Sequence, residues 1–210
     1  MPFAAPSLDA APLHMDLDGD RAFMRDYLDK SAAAMSDFAS DRRLAAQLLE
    51  LGGLIADSLA AGGKLLTAGN GGSAGDAQHI ASEFTARLMY DRRPLAAVAL
   101  TTDSSSLTAI SNDYGYEHVF ARQVLALGRP GDVFLGISTS GRSPNILRAF
   151  TEARRAGLTT IAFCGSATTD LPDVDHVFSA SSDWTPVIQQ IHITAGHIVC
   201  GIVERRLCPR

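Results

Sequence analysis

Short apolar runs alternate with longer, helix-length segments from residue 64 onward. The runs, which we interpret as strands, lie at Lys64–Ala68, Leu95–Leu100, Asp132–Ile137, Thr159–Phe163 and Asp175–Phe178. Strands that alternate with helices along a chain pair in parallel, with the helices covering both faces of the sheet. The pattern therefore predicts an α/β fold, a doubly wound parallel five-stranded sheet flanked by helices.

Segments with apolar residues at helical spacing lie before, between and after these strands. Two come first, from about Arg21 to Ser40 and from Asp41 to Ala60, and form an N-terminal helical pair. Further helices are predicted at about 73–87, 104–110, 117–127, 144–157 and 185–207. Ser143 and Pro144 suit the start of the fourth of these, and Gly157 suits its end. The last segment is apolar almost all round, so we expect it in the core or between subunits, and we favour a subunit interface.

The length and apolar content of the chain indicate one well-buried domain. Of its 210 residues, 46% are apolar, and we expect a single domain over residues 21–210 after a mobile leader over residues 1–20. The 23 acidic and 18 basic residues give a net charge of -5 and form no basic stripe. Nucleic acid is therefore not the expected ligand.

The sequence also bears on cellular location. The N-terminus has no basic segment followed by a long apolar run, and nowhere do eighteen uninterrupted apolar residues occur. We expect neither secretion nor a membrane partner. The cysteines are Cys164, Cys200 and Cys208. Because they are odd in number and lack CxxC spacing, we expect packing residues in a reducing, cytoplasmic setting.

Two junctions between a strand and a helix carry residues suited to phosphate. The first, Thr67–Ser73, runs from a strand into three glycines, so the backbone can approach a ligand closely. The second, Gly136–Ser143, places four hydroxyls within six residues. Hydroxyls and free amides can surround a phosphate, and ligands of doubly wound sheets gather at such junctions. Serine-rich turns are also common helix caps, so either loop alone leaves both interpretations open.

A nucleotide cofactor is not expected. Neither loop fits GxxxxGK[ST], and the stretch from Gly69 departs from GxGxxG at Ala74. The apolar segment Pro94–Leu100 supplies no acidic residue for a ribose at the usual distance.

Two helices carry candidates for proton transfer. His79 and Glu83 are four residues apart and share one helix face. Gln189 and His197 are eight residues apart, about 12 Å along a helix, which is long for one small ion. Spacing alone leaves a surface pair and a satisfied core histidine as alternatives. The histidines without such company are His118, His176 and His192, which we expect to be structural or solvated.

Four motifs in order resemble the phosphoheptose isomerases of the SIS (sugar isomerase) family, over about residues 21–207. They are AGNGGSAGDAQHIASEFTAR, TTDSSSLTAISNDYGYEHVF, GDVFLGISTSGRSPN and IQQIHITAGHIV. The resemblance implies conversion of D-sedoheptulose 7-phosphate to D-glycero-D-manno-heptose 7-phosphate through an enediol, the entry to nucleotide-activated heptose for surface polysaccharides such as lipopolysaccharide. It also implies an SIS-type sheet and a homotetramer with shared active sites.

The resemblance further implies roles for individual residues. Glu83 matches the family's base and His197 its acid, which suits an isomerisation that moves one proton between carbons and another between oxygens. The phosphate-binding hydroxyls match Ser73, Ser138, Thr139, Ser140 and Ser143. Other substrate contacts match Asn70, Gly71, Gly72, Glu83, Asn112, Asp113 and Gln189. A zinc site, with one ion per subunit, matches His79, Glu83, Gln189 and His197.

The chain departs from the family pattern at two places. Ser82 stands where members often have a second acidic residue, and Pro186-Val187 stands where many carry charged residues just before the glutamine.

Two other functions are compatible with parts of this pattern. A non-catalytic SIS protein that binds a sugar phosphate or the replication initiator would lack Glu83 and His197, which this chain has. An SIS isomerase for a five- or six-carbon or amino-sugar phosphate would share the phosphate loops.

Overall fold

The computed structural model of the protein describes residues 16–166, 168 and 170–210, and within them it confirms the predicted α/β fold. The helices are α1 Leu17–Ser40, α2 Arg42–Ala60, α3 Gly72–Thr85, α4 Ser104–Tyr114, α5 Val119–Leu127, α6 Pro144–Arg155 and α7 Thr185–Leu207, with a 3-10 turn at Tyr116–His118. The strands are β1 Leu65–Gly69, β2 Ala97–Ala99, β3 Val133–Ser138, β4 Thr159–Gly165 and β5 His176–Ala180. All neighbouring strands pair in parallel, in the order β2-β1-β3-β4-β5.

The strand order creates a switch point between β1 and β3. From β1 the chain crosses to β2 on one side and then returns to place β3 on the other. The carboxyl ends of β1 and β3 lie side by side, with Gly69 opposite Ile137. Ligands of doubly wound sheets bind at this kind of crevice. Both loops predicted to bind phosphate leave the sheet here.

Two apolar layers sandwich the sheet because successive strand residues point to opposite faces. Leu65 and Leu135 face a cluster built largely from α2, α3 and α7, whereas Leu66 and Phe134 face a cluster built from α5 and α6. The first layer therefore fixes the two helices that carry the candidate proton-transfer residues.

The last helix is a core element. Helix α7 is long and apolar enough to cross a membrane by length and composition, but half of its most apolar stretch is buried within the fold. It contacts α2 and α3 most extensively. Much of the helix thus lies in the core of the subunit, which is one of the two expected placements.

Several element ends differ from the sequence prediction. Helix α1 begins at Leu17 because the Asp16 carboxylate accepts the Gly19 amide at 2.9 Å and caps the helix, so the end of the predicted leader is helical. Residues 1–15 of that leader lie outside the described residues. The segment predicted as a helix over 117–127 starts with the 3-10 turn and becomes α-helical at Val119. Strand β2 keeps three residues because it pairs only with β1 at the sheet edge.

Candidate active site

The loop after β1 forms a tight entry into α3. A Cβ on Gly69 would lie 2.2 Å from the Ser73 carbonyl oxygen, so only glycine fits there. Gly71, with φ +56, is the N-cap of α3. No side chain caps this helix and its first turn has no acidic residue, so the positive end of the helix dipole stays unneutralised. An anion is favoured at such a site.

The loop after β3 folds its hydroxyls around a glycine turn. Gly141 has φ +64, and its amide donates to the Ser138 carbonyl at 3.0 Å. The Ser138 and Ser143 hydroxyls lie 2.9 Å apart. Ser143 takes the predicted N-cap position of α6, but its hydroxyl makes no cap hydrogen bond and pairs with Ser138 instead. Because α6 also has no acidic residue in its first turn, this loop presents a second helix start suited to an anion.

A hydrogen-bond network joins the two loops. The Asn70 and Asn145 amides donate to each other's oxygens at 2.9 and 2.8 Å, and the Tyr116 hydroxyl donates to the Asn70 oxygen at 2.9 Å. Sequence reasoning chose Asn70 but missed Asn145 and Tyr116. Asn145 is buried in the first turn of α6, directly after the hydroxyl-rich loop, and that position was the available signal.

The candidate proton-transfer residues meet between α3 and α7. The His79 Nε2 atom lies 3.1 Å from the Glu83 Oε1 atom and 3.2 Å from the His197 Nε2 atom. One ligand atom from each of the three residues lies within 4.8 Å of the others. His79 and Glu83 form the expected pair, but it is not isolated, because a partly buried His197 lies beside it. The fold assembles a cluster that spacing along either helix could not predict.

Gln189 lies away from this cluster. Its side-chain amide packs against Gly72, where a Cβ would sit 2.4 Å from the Nε2 atom. Gly72 precedes His79 by seven residues, about 10 Å along α3. Within one chain, the Gln189 amide therefore accompanies the start of α3 rather than the His79 imidazole.

A cavity of about 560 Å³ opens beside the loop after β3. It is lined by Thr139–Arg142 and Gly165 on the sheet side and by Ser182 and Ile188 on the α7 side. The described lining includes no residue of α3 and none of the His79–Glu83–His197 cluster. The cavity therefore marks open space beside the hydroxyl-rich loop.

Two of the predicted substrate contacts make no hydrogen bond to these groups among the described residues. Asn112 and Asp113 are exposed at the end of α4, where the Asn112 amide donates to the Asp113 carboxylate at 2.9 Å. Ser73, by contrast, is buried in the first turn of α3. The exposed pair faces outward from the described chain.

Burial perturbs titratable groups near the cluster. Asp76 lies one turn before His79, and burial raises the pKa of its carboxyl to about 6, with His79 lowering it in part. Its Oδ2 atom has no hydrogen-bond partner among the described residues. Burial, and then the Glu83 carboxylate, raise the pKa of the Cys200 thiol. Cys200 therefore stays a neutral packing residue, as its sequence context predicted.

Comparison with known proteins identifies the family. Residues 26–165 match the family model of the SIS domain. A phosphoheptose isomerase from Burkholderia pseudomallei is 52% identical over 174 residues, which are 82% of this chain and 88% of that relative. A phosphoheptose isomerase from Roseiflexus sp. is 56% identical over 154 residues, 73% of this chain and 78% of that relative. The chain belongs to the phosphoheptose isomerase family.

Solved structures of phosphoheptose isomerases share the fold. The Neisseria gonorrhoeae structure has a TM-score of 0.79 and 39% identity, over 88% of this chain and 98% of that one. The Francisella tularensis structure has a TM-score of 0.81 and 34% identity, over 89% of this chain and 98% of that one. The family resemblance and the isomerase class inferred from the four motifs are confirmed. The chain is an isomerase, and a non-catalytic SIS protein is the poorer description of it.

Proposed function

We propose that this isomerase converts D-sedoheptulose 7-phosphate to D-glycero-D-manno-heptose 7-phosphate, with Glu83 and His197 as its acid–base pair. The supporting observation is the convergence of these two side chains, from α3 and α7, on the His79 imidazole. The relatives that share about half of the sequence are named phosphoheptose isomerases. The product feeds the synthesis of nucleotide-activated heptose.

The two side chains divide the proton movements of an aldose–ketose isomerisation. The Glu83 carboxylate removes the proton from the carbon beside the carbonyl and returns it to the neighbouring carbon of the enediol. The His197 imidazole moves the other proton between the two oxygens. The Glu83 side chain is 17% exposed, so its carboxylate is largely shielded from water on the helix face that meets α7.

The phosphate is held at the switch point. We assign it to the hydroxyls of Ser73, Ser138, Thr139, Ser140 and Ser143. The starts of α3 and α6 add helix dipoles without an acidic side chain in either first turn. Asn70, Gly71, Gly72 and Gln189 then contact the sugar between this anion site and the acid–base pair.

The donor set fits one zinc ion per subunit. Two imidazoles and a carboxylate are a usual set for a catalytic zinc with an open position, and donors around a tetrahedral zinc lie roughly 3.3 Å apart. His79 Nε2 lies 3.1 and 3.2 Å from the Glu83 and His197 donors. We therefore assign the metal to these three residues and Gln189 to the substrate. Bound zinc would stabilise negative charge on an enediolate oxygen.

We further propose a cytoplasmic homotetramer whose subunits share active sites. Leu49 and Ile198 are 56% and 41% exposed, and they line an apolar cavity of about 530 Å³ among α1, α2 and α7. An apolar surface of this kind favours association between subunits. The outward position of Asn112 and Asp113 suits contacts to a substrate bound at a neighbouring subunit.

Turnover of a panel of ketose phosphates tests the proposal. The protein is incubated with five-, six- and seven-carbon ketose phosphates, and formation of the aldose is followed. We expect turnover of the seven-carbon substrate. Preferred turnover of a shorter sugar would show a different SIS isomerase, and turnover of none would contradict catalysis.

The Glu83→Gln variant tests the mechanism on the same substrate. It keeps the shape of the side chain but removes both the base and a carboxylate ligand of the proposed metal, so we expect kcat to fall about a hundredfold or more. Zinc content measured on the same sample separates the two losses. Glu50→Gln is the matched control, because Glu50 is an exposed carboxylate beside His176. Full activity of Glu83→Gln would remove Glu83 from the mechanism.

A further inference from the structure

Arg92 and Glu204 form a buried ion pair next to the proposed catalytic helices. The Arg92 Nε atom lies 2.9 Å from the Glu204 Oε1 atom, and the side chains are 4% and 0% exposed. Arg92 lies in the segment between α3 and β2, and Glu204 lies on α7. In the part of the chain that the structure describes, no other ion pair has both side chains so fully buried.

The Arg92 guanidinium binds the end of α3. Its Nη2 atom donates to the Glu83 carbonyl at 2.7 Å, and its Nη1 atom donates to the carbonyls of Phe84 at 2.9 Å and Ala86 at 3.3 Å. Carbonyls in the last turn of a helix lack partners within the helix. The planar fork of arginine can satisfy several of them while it binds a carboxylate. The backbone of Glu83 is therefore held directly by Arg92.

Glu204 binds the chain that leaves α3. Its two carboxylate oxygens accept the Leu88 and Met89 amides at 3.0 and 2.9 Å. Burial acts to raise the pKa of Glu204, but these amides and Arg92 outweigh it and leave the pKa below its usual value. The carboxylate is charged at neutral pH and fully hydrogen-bonded.

The ion pair closes one end of the contact between α3 and α7. The two helices run in parallel: His79 meets His197, and seven residues further on α7, about 10 Å along the axis, Glu204 meets the exit from α3. Seven residues are nearly two turns, so His197 and Glu204 share one face of α7. Each member of the pair thus connects the helix of Glu83 to the helix of His197.

We propose that the Arg92–Glu204 ion pair is a positioning pair that sets the placement of Glu83 relative to His197. The inference rests on the proposed roles of those two residues. Burying two charges yields little net stability, because desolvation offsets their attraction. The bonds are directional, however, and a displacement of about 1 Å at a reacting group can cost roughly a hundredfold in rate.

The Arg92→Lys variant separates position from charge. Lysine keeps the positive charge beside Glu204 but cannot bridge the carboxylate and the carbonyls of α3 at once. We expect kcat to fall roughly 10- to 100-fold, with KM for sedoheptulose 7-phosphate almost unchanged. Glu204→Gln, which leaves a backbone amide of Leu88 or Met89 without an acceptor, should show the same split between kcat and KM.

Asp132→Asn is the matched control. Asp132 is buried, pairs with Lys64 at 2.6 Å and accepts two backbone amides, but it lies just before β3, at the amino-terminal ends of the strands. We expect its substitution to lower Tm and leave kcat near the wild-type value. Two results would overturn the positioning role. One is a wild-type kcat in Arg92→Lys. The other is a kcat that falls in proportion to Tm to the same extent in Arg92→Lys and Asp132→Asn.

The Glu83→Gln variant keeps the two proposals distinguishable. If Glu83→Gln is inactive and Arg92→Lys keeps the wild-type kcat, only the positioning role is removed. Active Glu83→Gln removes the proposed mechanism, and the positioning inference falls with it.

Discussion

The side-chain amides of Asn70 and Asn145 face each other, and each donates a hydrogen bond to the other's oxygen, at 2.9 and 2.8 Å. Asn70 belongs to the loop after β1 and Asn145 to the first turn of α6. The pair therefore spans the switch point of the sheet and sets the distance between the two helix starts to which we assign the substrate. Asn145 is 2% exposed, so water cannot replace either bond.

Asn145→Asp should loosen this connection. The aspartate has no donor for the Asn70 oxygen and places a buried negative charge beside the phosphate loops. The Asn70 oxygen keeps only the Tyr116 hydroxyl as a donor, and we expect the lost hydrogen bond and the buried charge together to cost about 1–3 kcal/mol. We expect a lower Tm and a several-fold higher KM for the sugar phosphate, measured by thermal unfolding and steady-state kinetics.

Tyr116→Phe is the control for that variant. It removes one hydroxyl from the Asn70 oxygen, at an exposed position, and leaves the amide pair intact. We expect a loss of under about 1 kcal/mol. Equal effects of the two substitutions would argue against a special role of the amide pair.

Ser138→Ala and Ser143→Ala should weaken phosphate binding. The Ser138 and Ser143 hydroxyls lie 2.9 Å apart near the start of α6. Each substitution removes one hydrogen-bond donor from the proposed phosphate site. One hydrogen bond to a charged group contributes about 1.5–3 kcal/mol, so KM should rise roughly tenfold or more in each variant. Ser58→Ala is the control. The Ser58 hydroxyl donates to the Gly131 carbonyl near the amino-terminal end of β3, so its loss should leave KM unchanged.

The sequence was sufficient for the sheet, its helices and the positions of the two loops predicted to bind phosphate, because these follow from local patterns. Periodicity placed the strands, and the glycines and hydroxyls marked the turns. The His79–His197 contact joins residues 118 positions apart, so no local pattern could predict it. The roles that we propose for those residues come from the family resemblance. The links made by Asn145 and Arg92 were missed because one lies inside a helix turn and the other in an irregular segment.

His79→Ala should remove the metal. Zinc in the purified protein is measured by elemental analysis, with about one ion per chain expected in the wild type and much less in the variant, because one of three donors is lost. Prolonged chelation should reduce wild-type activity. His118→Ala is the control, since His118 lies 3.9 Å from Glu117 on a separate element. Unchanged zinc in His79→Ala, or none in the wild type, would contradict the metal assignment.

Gly196→Ala should disturb the contact between α3 and α7 just before His197. The added Cβ would lie 2.7 Å from the Ile80 Cδ1 atom and 2.8 Å from its Cγ1 atom. Overpacking of this kind costs about 1–3 kcal/mol. We expect lower Tm and lower kcat, both measured on the same preparation. Adding Ile80→Val removes the Cδ1 atom and should restore part of each loss; no recovery in the double variant would place the strain elsewhere.

His192 should make the protein less stable in acid. Its Nε2–H donates to the Cys164 carbonyl at 2.9 Å, while its Nδ1 atom has no partner among the described residues. Protonation would therefore bury an unpaired charge, and this burial lowers the pKa of His192 from 6.5 to about 4.

The sign of the effect follows from proton uptake. Between pH 6.5 and about 4 the unfolded chain binds a proton at His192 and the folded chain does not, so the free energy of unfolding falls as pH falls. The full loss is about 3 kcal/mol, complete near pH 4. His192→Gln keeps a donor for the Cys164 carbonyl and cannot be protonated. Denaturant unfolding gives the free energy of unfolding at pH 7 and at pH 4.5. This free energy should fall less between the two pH values in the variant than in the wild type. An equal fall would assign the acid sensitivity to other groups.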